Sequence, residues 1–206
     1  MSDERWHNKE TARRYSRWKM IGARLFPPSF PQEIVEAVRA LEEGATVVDL
    51  GAGPGLLAIE LHKLWPHARF ICVDPSEEML KIAERNAAAA GLLNFETRLG
   101  SAEAIPIDSD SVDVVVSQSS LHEWEDPEIG LSEIYRILKH GGRLVLEDYN
   151  RNWLSNWKRR ILGRFHHLDM FKFTVEEIVG MLKEAGFVDV HGKERGLKFL
   201  VQAAKR

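Results

Sequence analysis

Val47-Val48-Asp49-Leu50-Gly51-Ala52-Gly53-Pro54-Gly55 decides the fold. Its first residues belong to the nearly continuous apolar run Thr46–Leu50, the pattern of a central strand covered on both faces. Three alternating glycines follow, and a helical pattern opens directly behind them over Leu56–Trp65. Strand, glycine turn and helix in that order put the turn at the carboxyl end of a strand, where open parallel sheets bind ligands. Glycine lets the backbone approach a ligand closely, and the helix N-terminus favours an anionic group. A dinucleotide fingerprint needs a third glycine three residues after Gly53, where this chain has Leu56. The spacing therefore speaks against a pyrophosphate cradle and against nicotinamide cofactors.

Outward from this loop, Phe70–Val73 reads as the second strand and ends at Asp74, 21 residues beyond Gly53. An acid there is placed to accept hydrogen bonds from both hydroxyls of a ribose. The glycines alone would serve equally as a plain tight turn; Asp74 at this spacing favours a binding loop. A helix follows with Ser76 as N-cap, Glu77 and Glu78 in its first turn, and an alanine-rich body to Ala90, closed by Gly91. Further strands read at Asn94–Leu99, Val112–Val116 and Arg143–Glu147, with a helix Glu128–Leu138 stopped at Gly141-Gly142. Thr174 caps a helix to Ala185, and Phe187–Val190 and Leu197–Ala203 form an antiparallel hairpin that finishes the sheet. The alternation predicts a doubly wound α/β fold.

The 206 residues are 44% hydrophobic and 29% charged, the composition of one globular domain with an embellishment rather than of a disordered or coiled-coil chain. No apolar run approaches the roughly 18 residues of a membrane-spanning helix. The opening Met-Ser-Asp-Glu-Arg is not a secretory signal, and Cys72, the single cysteine, pairs with nothing internally, so a reducing cytoplasm is expected. The net charge of −3 hides a split. Residues 1–30 carry seven Lys and Arg against three Asp and Glu, and residues 149–172 carry six against one. Two basic segments thus sit on an acidic body.

Asp-Leu-Gly-Ala-Gly-Pro-Gly at 49–55, Val-Asp-Pro-Ser-Glu-Glu-Met-Leu at 73–80 and Gly-Ser-Ala-Glu-Ala-Ile-Pro at 100–106 resemble the class I S-adenosylmethionine-dependent methyltransferases. The likeness is greatest to the small-molecule branch that includes quinone-methylating enzymes. Val112–Ser117, Leu121-His122-Glu123-Trp124 and Ile137–Leu144 add to it. The resemblance implies a mostly parallel seven-stranded sheet with the last strand antiparallel, and S-adenosyl-L-methionine as cofactor. It implies that Asp49, Gly51, Ala52, Gly53 and Gly55 surround the methionine end, with Ser117 and Gln118 lining the same side. Asp74 would hold the ribose, Pro75 and Met79 flank the adenine, and Ser101 and Ala102 meet the adenine edge. Many relatives have Asp where this chain has Ser101, so a weaker adenine contact is expected here.

Methyl transfer is an in-line displacement in which the protein aligns the partners and excludes water. A base is needed only where the acceptor must lose a proton. The candidates are His122, which follows the fourth strand, Asp148, Tyr149 and the pair His166-His167. His122 is preferred as the catalytic residue because its ordinary pKa near 6.5 suits the task, although it could simply pack before Trp124. Adjacent histidines are poor joint metal ligands, so no metal is expected.

Trp153, Trp157, Ile161 and Phe165 recur every four residues, with Lys158, Arg159, Arg160 and Arg164 largely off that stripe. Tyr15, Trp18, Ile21 and Leu25 make a similar stripe beside Arg13, Arg14 and Arg17. Residues 1–206 are thus read as one methyltransferase domain, with a helical cap segment at 1–30 and a cap insertion at 149–172 after the fifth strand. Tyr15, Trp18, Trp153 and Trp157 would face a small, apolar or anionic acceptor drawn in by the basic rim. The stripes would equally serve to dock the helices, and the basic helices could rest on a membrane surface. Nucleic acid is disfavoured because no recognition module is present. A non-catalytic cofactor-binding regulator and a methyltransferase acting on a macromolecule are the alternatives. The acceptor, the methylated atom and the oligomeric state are not specified by the sequence.

Overall fold

A computed structural model describes residues 34, 35, 41–153 and 170–206. Seven strands form one sheet: β1 Thr46–Leu50, β2 Arg69–Asp74, β3 Phe95–Leu99, β4 Val112–Gln118, β5 Leu138–Tyr149, β6 Val188–Arg195 and β7 Lys198–Ala204. Their spatial order is β3-β2-β1-β4-β5-β7-β6. The pairs from β3 to β5 are parallel, while β7 runs antiparallel to both β5 and β6. The order in which strands are added reverses between β1 and β4, and this topological switch point is where the glycine loop emerges.

The helices are α1 Leu56–Leu64, α2 Glu77–Ala89, α3 Pro127–Ile137 and α4 Val175–Glu184. Strand residues alternate between two cores, as the two-residue period of a strand requires. Val47, Phe70, Val114, Val116 and Val145 pack with Ile34 and the α1 residues Leu57, Ala58 and Leu61. Val48, Leu50, Ile71, Val115 and Leu144 point the other way, onto Leu131 and Ile134 of α3 and Ile178 and Leu182 of α4. Burial on both faces explains why β1 reads as a nearly continuous apolar run. No helix among the described residues is long and apolar enough to cross a membrane.

The helix starts follow from their caps. Ser76 Oγ accepts the Met79 N–H at 3.3 Å, and Thr174 with Glu177 forms a reciprocal capping box. The α3 boundaries differ from the sequence expectation. Asp126 is the cap, accepting the Glu128 and Ile129 N–H groups, so the helix begins one residue early at Pro127. It also stops before the glycines. Leu138 is already extended and pairs with Val112, while Gly141, at φ 79°, forms an irregularity inside a strand that runs from Leu138 to Tyr149.

Candidate functional site

The glycine loop is shaped by three left-handed residues, with φ of 71° at Gly51, 52° at Gly53 and 73° at Gly55. Only glycine adopts this conformation at little cost. The Gly51 and Ala52 N–H groups both bond the Val73 carbonyl, at 2.8 and 3.2 Å, folding the loop over the end of β2. The three positions then divide. A Cβ on Gly51 would lie 2.3 Å from Ser120 Cβ, and one on Gly55 would lie 3.0 Å from Ala83 Cβ. A Cβ on Gly53 would meet nothing within 4 Å. Gly51 and Gly55 are needed for packing, whereas Gly53 opens onto free space.

Asp74 ends β2, buried, and holds this loop. Its Oδ2 accepts the Gly53 N–H at 2.8 Å, and its Oδ1 accepts the Ser76 N–H at the same distance. The Asp74 carbonyl accepts the Gly100 N–H at 3.2 Å, which sets the start of the next loop, where Ser101 bridges to Ala104 and Ala102 is buried. Pro75 is exposed, and Met79 is buried beneath it in the first turn of α2. Asp49 is buried in β1, opposite Cys72 and Val116. Burial pushes the Cys72 thiol up in pKa, and the negative charges of Asp49 and Asp74 add to the effect.

Ser117, the last residue but one of β4, is fully buried, its hydroxyl 2.7 Å from that of Ser120. Ser120 Oγ donates to the Leu50 carbonyl at 3.2 Å, so the proton between the two hydroxyls comes from Ser117. Gln118 donates to Glu147 Oε1 at 3.0 Å. The structure thus gathers the expected residues from 49–55, 74–79, 101–102 and 117–118 at the carboxyl ends of β1 to β4.

Three of the candidate bases also meet. His122 sits in the single turn Leu121–Glu123, and Asp148, 1% exposed, holds it twice. Asp148 Oδ2 accepts the His122 N–H at 3.2 Å, and Oδ1 lies 2.8 Å from Nδ1. A carboxylate only accepts, so Nδ1 carries a proton towards Asp148. Nε2 lies 3.5 Å from Glu123 Oε1. The third candidate, Tyr149, packs edge-on to the imidazole at 5.5 Å, then against Phe171 at 5.5 Å, and Phe171 stacks on Trp153 at 5.9 Å. An aromatic chain therefore runs from His122 to Trp153, which is part exposed. Asn150 bridges to Phe173, so the two ends of the segment between them leave the sheet side by side at this edge. Tyr15, Trp18, Trp157, His166 and His167 lie outside the described residues.

Several contributors were not legible in the sequence. Ser119 has a left-handed φ of 56°, and Lys198 bonds both its hydroxyl, at 3.0 Å, and Glu147, at 2.7 Å. Phe171 carried no motif. Glu103 accepts the Glu125 and Asp126 N–H groups, and Glu133 with Arg136 clamps the backbone of 105–107. Each of these contacts spans 22 residues or more, beyond any periodic signal.

A methyltransferase domain model matches residues 48–146. The chain is 31% identical over 169 residues to 2-methyl-6-phytyl-1,4-hydroquinone methyltransferase 1 of Oryza sativa, covering 81% of this chain and 48% of that protein. It is 36% identical over 161 residues to a methyltransferase of Schizosaccharomyces pombe described as uncharacterized, covering 74% and 61%. It thus spans about half to three-fifths of the length of these curated relatives. Its fold matches the crystal structure of a methyltransferase from Methanococcus maripaludis, described as dependent on S-adenosyl-L-methionine, with TM-score 0.76, 27% identity and coverage of 97% and 94%. The strand order, the loop at the switch point and these likenesses agree: residues 48–146 form a methyltransferase domain of the class I S-adenosylmethionine-dependent kind, whose cofactor is S-adenosylmethionine.

Proposed function

We propose that the chain transfers a methyl group to a small, apolar acceptor bearing an ionisable hydroxyl, with His122 as the base. The observation that carries this reading is the buried Asp148 beneath His122 Nδ1 at 2.8 Å, at the end of β4 and beside the cofactor loops. Asp148 fixes the tautomer and leaves Nε2 to take the acceptor's proton.

The loop residues fit the family's cofactor. The opening at Gly53 admits its methionine end against Asp49, Gly51, Ala52 and Gly55, with Ser117 and Gln118 on the far side. Asp74 would accept the ribose hydroxyls alongside the Gly53 and Ser76 N–H groups, because each carboxylate oxygen takes more than one donor. Exposed Pro75 and buried Met79 form the adenine floor, and Ser101 and Ala102 its edge. When bound, S-adenosylmethionine supplies an electrophilic methyl group on a sulfonium sulfur. The residues around it align the acceptor and exclude water.

The chain Tyr149–Phe171–Trp153 supports an apolar acceptor, since aromatic faces offer stacking area with few polar groups. The rice relative, named for a hydroquinone, agrees in class. Calorimetry with S-adenosylmethionine, S-adenosylhomocysteine and NAD, followed by turnover with hydroquinones, phenols and apolar acids, tests the reading. Binding of the two sulfur nucleosides with methyl transfer to a hydroxylated aromatic is expected. Binding without transfer to any of these acceptors would favour the non-catalytic alternative.

A further inference from the structure

The turn that carries His122 is strung between two cofactor loops. At its start, Ser120 Oγ donates to the Leu50 carbonyl, and the Ser120 side chain fills the space left by the missing Cβ of Gly51. At its end, Glu103 Oε1 accepts the Glu125 N–H at 2.8 Å and the Asp126 N–H at 3.2 Å. Glu103 directly follows Ser101-Ala102, the adenine edge. The two segments also touch through packing. A Cβ on Gly130 would lie 2.8 Å from the Trp124 ring and 3.3 Å from Ala102 Cβ, so Ala102, Gly130 and Trp124 leave no slack. Between these anchors Asp148 holds His122 by two hydrogen bonds, and Tyr149 packs edge-on to its ring.

Resting on the reading given under Proposed function, we infer that Glu103 is a positioning residue that makes the placement of His122 depend on a filled adenine subsite. An adenine against Ser101-Ala102 immobilises that loop. Glu103 passes the constraint to the Glu125 and Asp126 amides, and thence to the turn three residues upstream. The carboxylate also lies at the N-terminus of α3, where the helix dipole favours its negative charge. Cofactor binding before acceptor binding is the kinetic order that follows.

Amide hydrogen exchange, with and without S-adenosylhomocysteine, tests this without knowledge of the acceptor. In the unaltered chain the product should slow exchange in Gly51–Gly55 and also about tenfold in Leu121–Asp126, a typical size for coupling between sites. In Glu103→Ala the glycine loop should still be protected, while exchange in Leu121–Asp126 should no longer respond. Glu103→Gln keeps an acceptor oxygen and should restore most of the response. A merely structural role would speed exchange in Leu121–Asp126 yet leave its response to the product intact, and that outcome would overturn the inference. Protection of Gly51–Gly55 alone in the unaltered chain would also overturn it, leaving the cofactor reading in place. No protection anywhere would remove both.

Discussion

Asp74 Oδ2 accepts the Gly53 N–H at 2.8 Å, so the acid at the end of β2 holds open the one glycine of the loop that faces free space. A single carboxylate thereby shapes the site and offers it a ligand group. The two roles cannot be separated by deleting the side chain, but they can by measuring stability and affinity together.

Replacement of Asp74 by Ala should weaken binding of S-adenosylmethionine by about 1–3 kcal/mol, the cost of losing charge-assisted hydrogen bonds. Thermal unfolding should register the lost Gly53 and Ser76 bonds as a smaller, separate change. Unchanged calorimetric affinity in the folded variant would remove the ribose assignment.

The glycines should respond differently. Gly51→Ala forces a Cβ to 2.3 Å from Ser120 and should cost about 1–3 kcal/mol of stability, measured by denaturant unfolding. Gly53→Ala meets no neighbour, so only its left-handed backbone, at about 1–2 kcal/mol, opposes folding. Its loss should appear mainly as reduced cofactor affinity.

His122→Gln should lower turnover about 10²- to 10⁴-fold, the usual worth of a general base. Affinity for S-adenosylhomocysteine should stay within about twofold, because that loss is confined to proton transfer. Asp148→Asn should reduce turnover in the same direction by disturbing the tautomer. Full activity in His122→Gln would sink the base assignment.

Acid should expose the Glu133–Arg136 clamp. Hydrogen bonds from Arg136 hold the Glu133 carboxyl below its ordinary 4.5, with burial opposing and the Ile105 N–H assisting. A depressed folded value means the stabilisation is fully present above pH 4.5 and is lost as pH falls through the lower folded value. Denaturation midpoints of the unaltered chain and Glu133→Gln should differ most at neutral pH and converge on acidification. A constant gap at all pH values would contradict this.

The Cys72 thiol should resist alkylation in the folded chain at pH 8 and react promptly in denaturant, since burial raises its pKa and hides it. Rapid native labelling would place the thiol outside the core.

What the sequence revealed depended on how local the signal was. The glycine spacing, Asp74, Ser76 and Thr174 act within a few residues or at a fixed motif distance, and each sits where its pattern implied. The α3 boundary was missed because Asp126 and Pro127 outrank Glu128 as a start, and because pairing of Leu138 with Val112 ends the helix. His122, Asp148 and Tyr149 were legible as candidates, but their meeting depends on β4 and β5 lying side by side. Lys198 reaches Ser119 across 79 positions, and no periodicity encodes such a contact.

β7 is inserted between β5 and β6 although it follows both in the chain. Among the described residues β6 pairs with no strand other than β7, so it stays outside the sheet until Lys198–Ala204 threads into the gap. The same threading delivers Phe199 and Val201 to the core shared with α3 and α4, and Lys198 to Ser119. Closure of this long-range pairing is slow by nature, since its loop entropy must be overcome before any contact rewards it. The Ser119–Lys198 side of the site therefore depends on pairing between segments far apart in the chain, such as Arg143 with Ala204 and Tyr149 with Lys198.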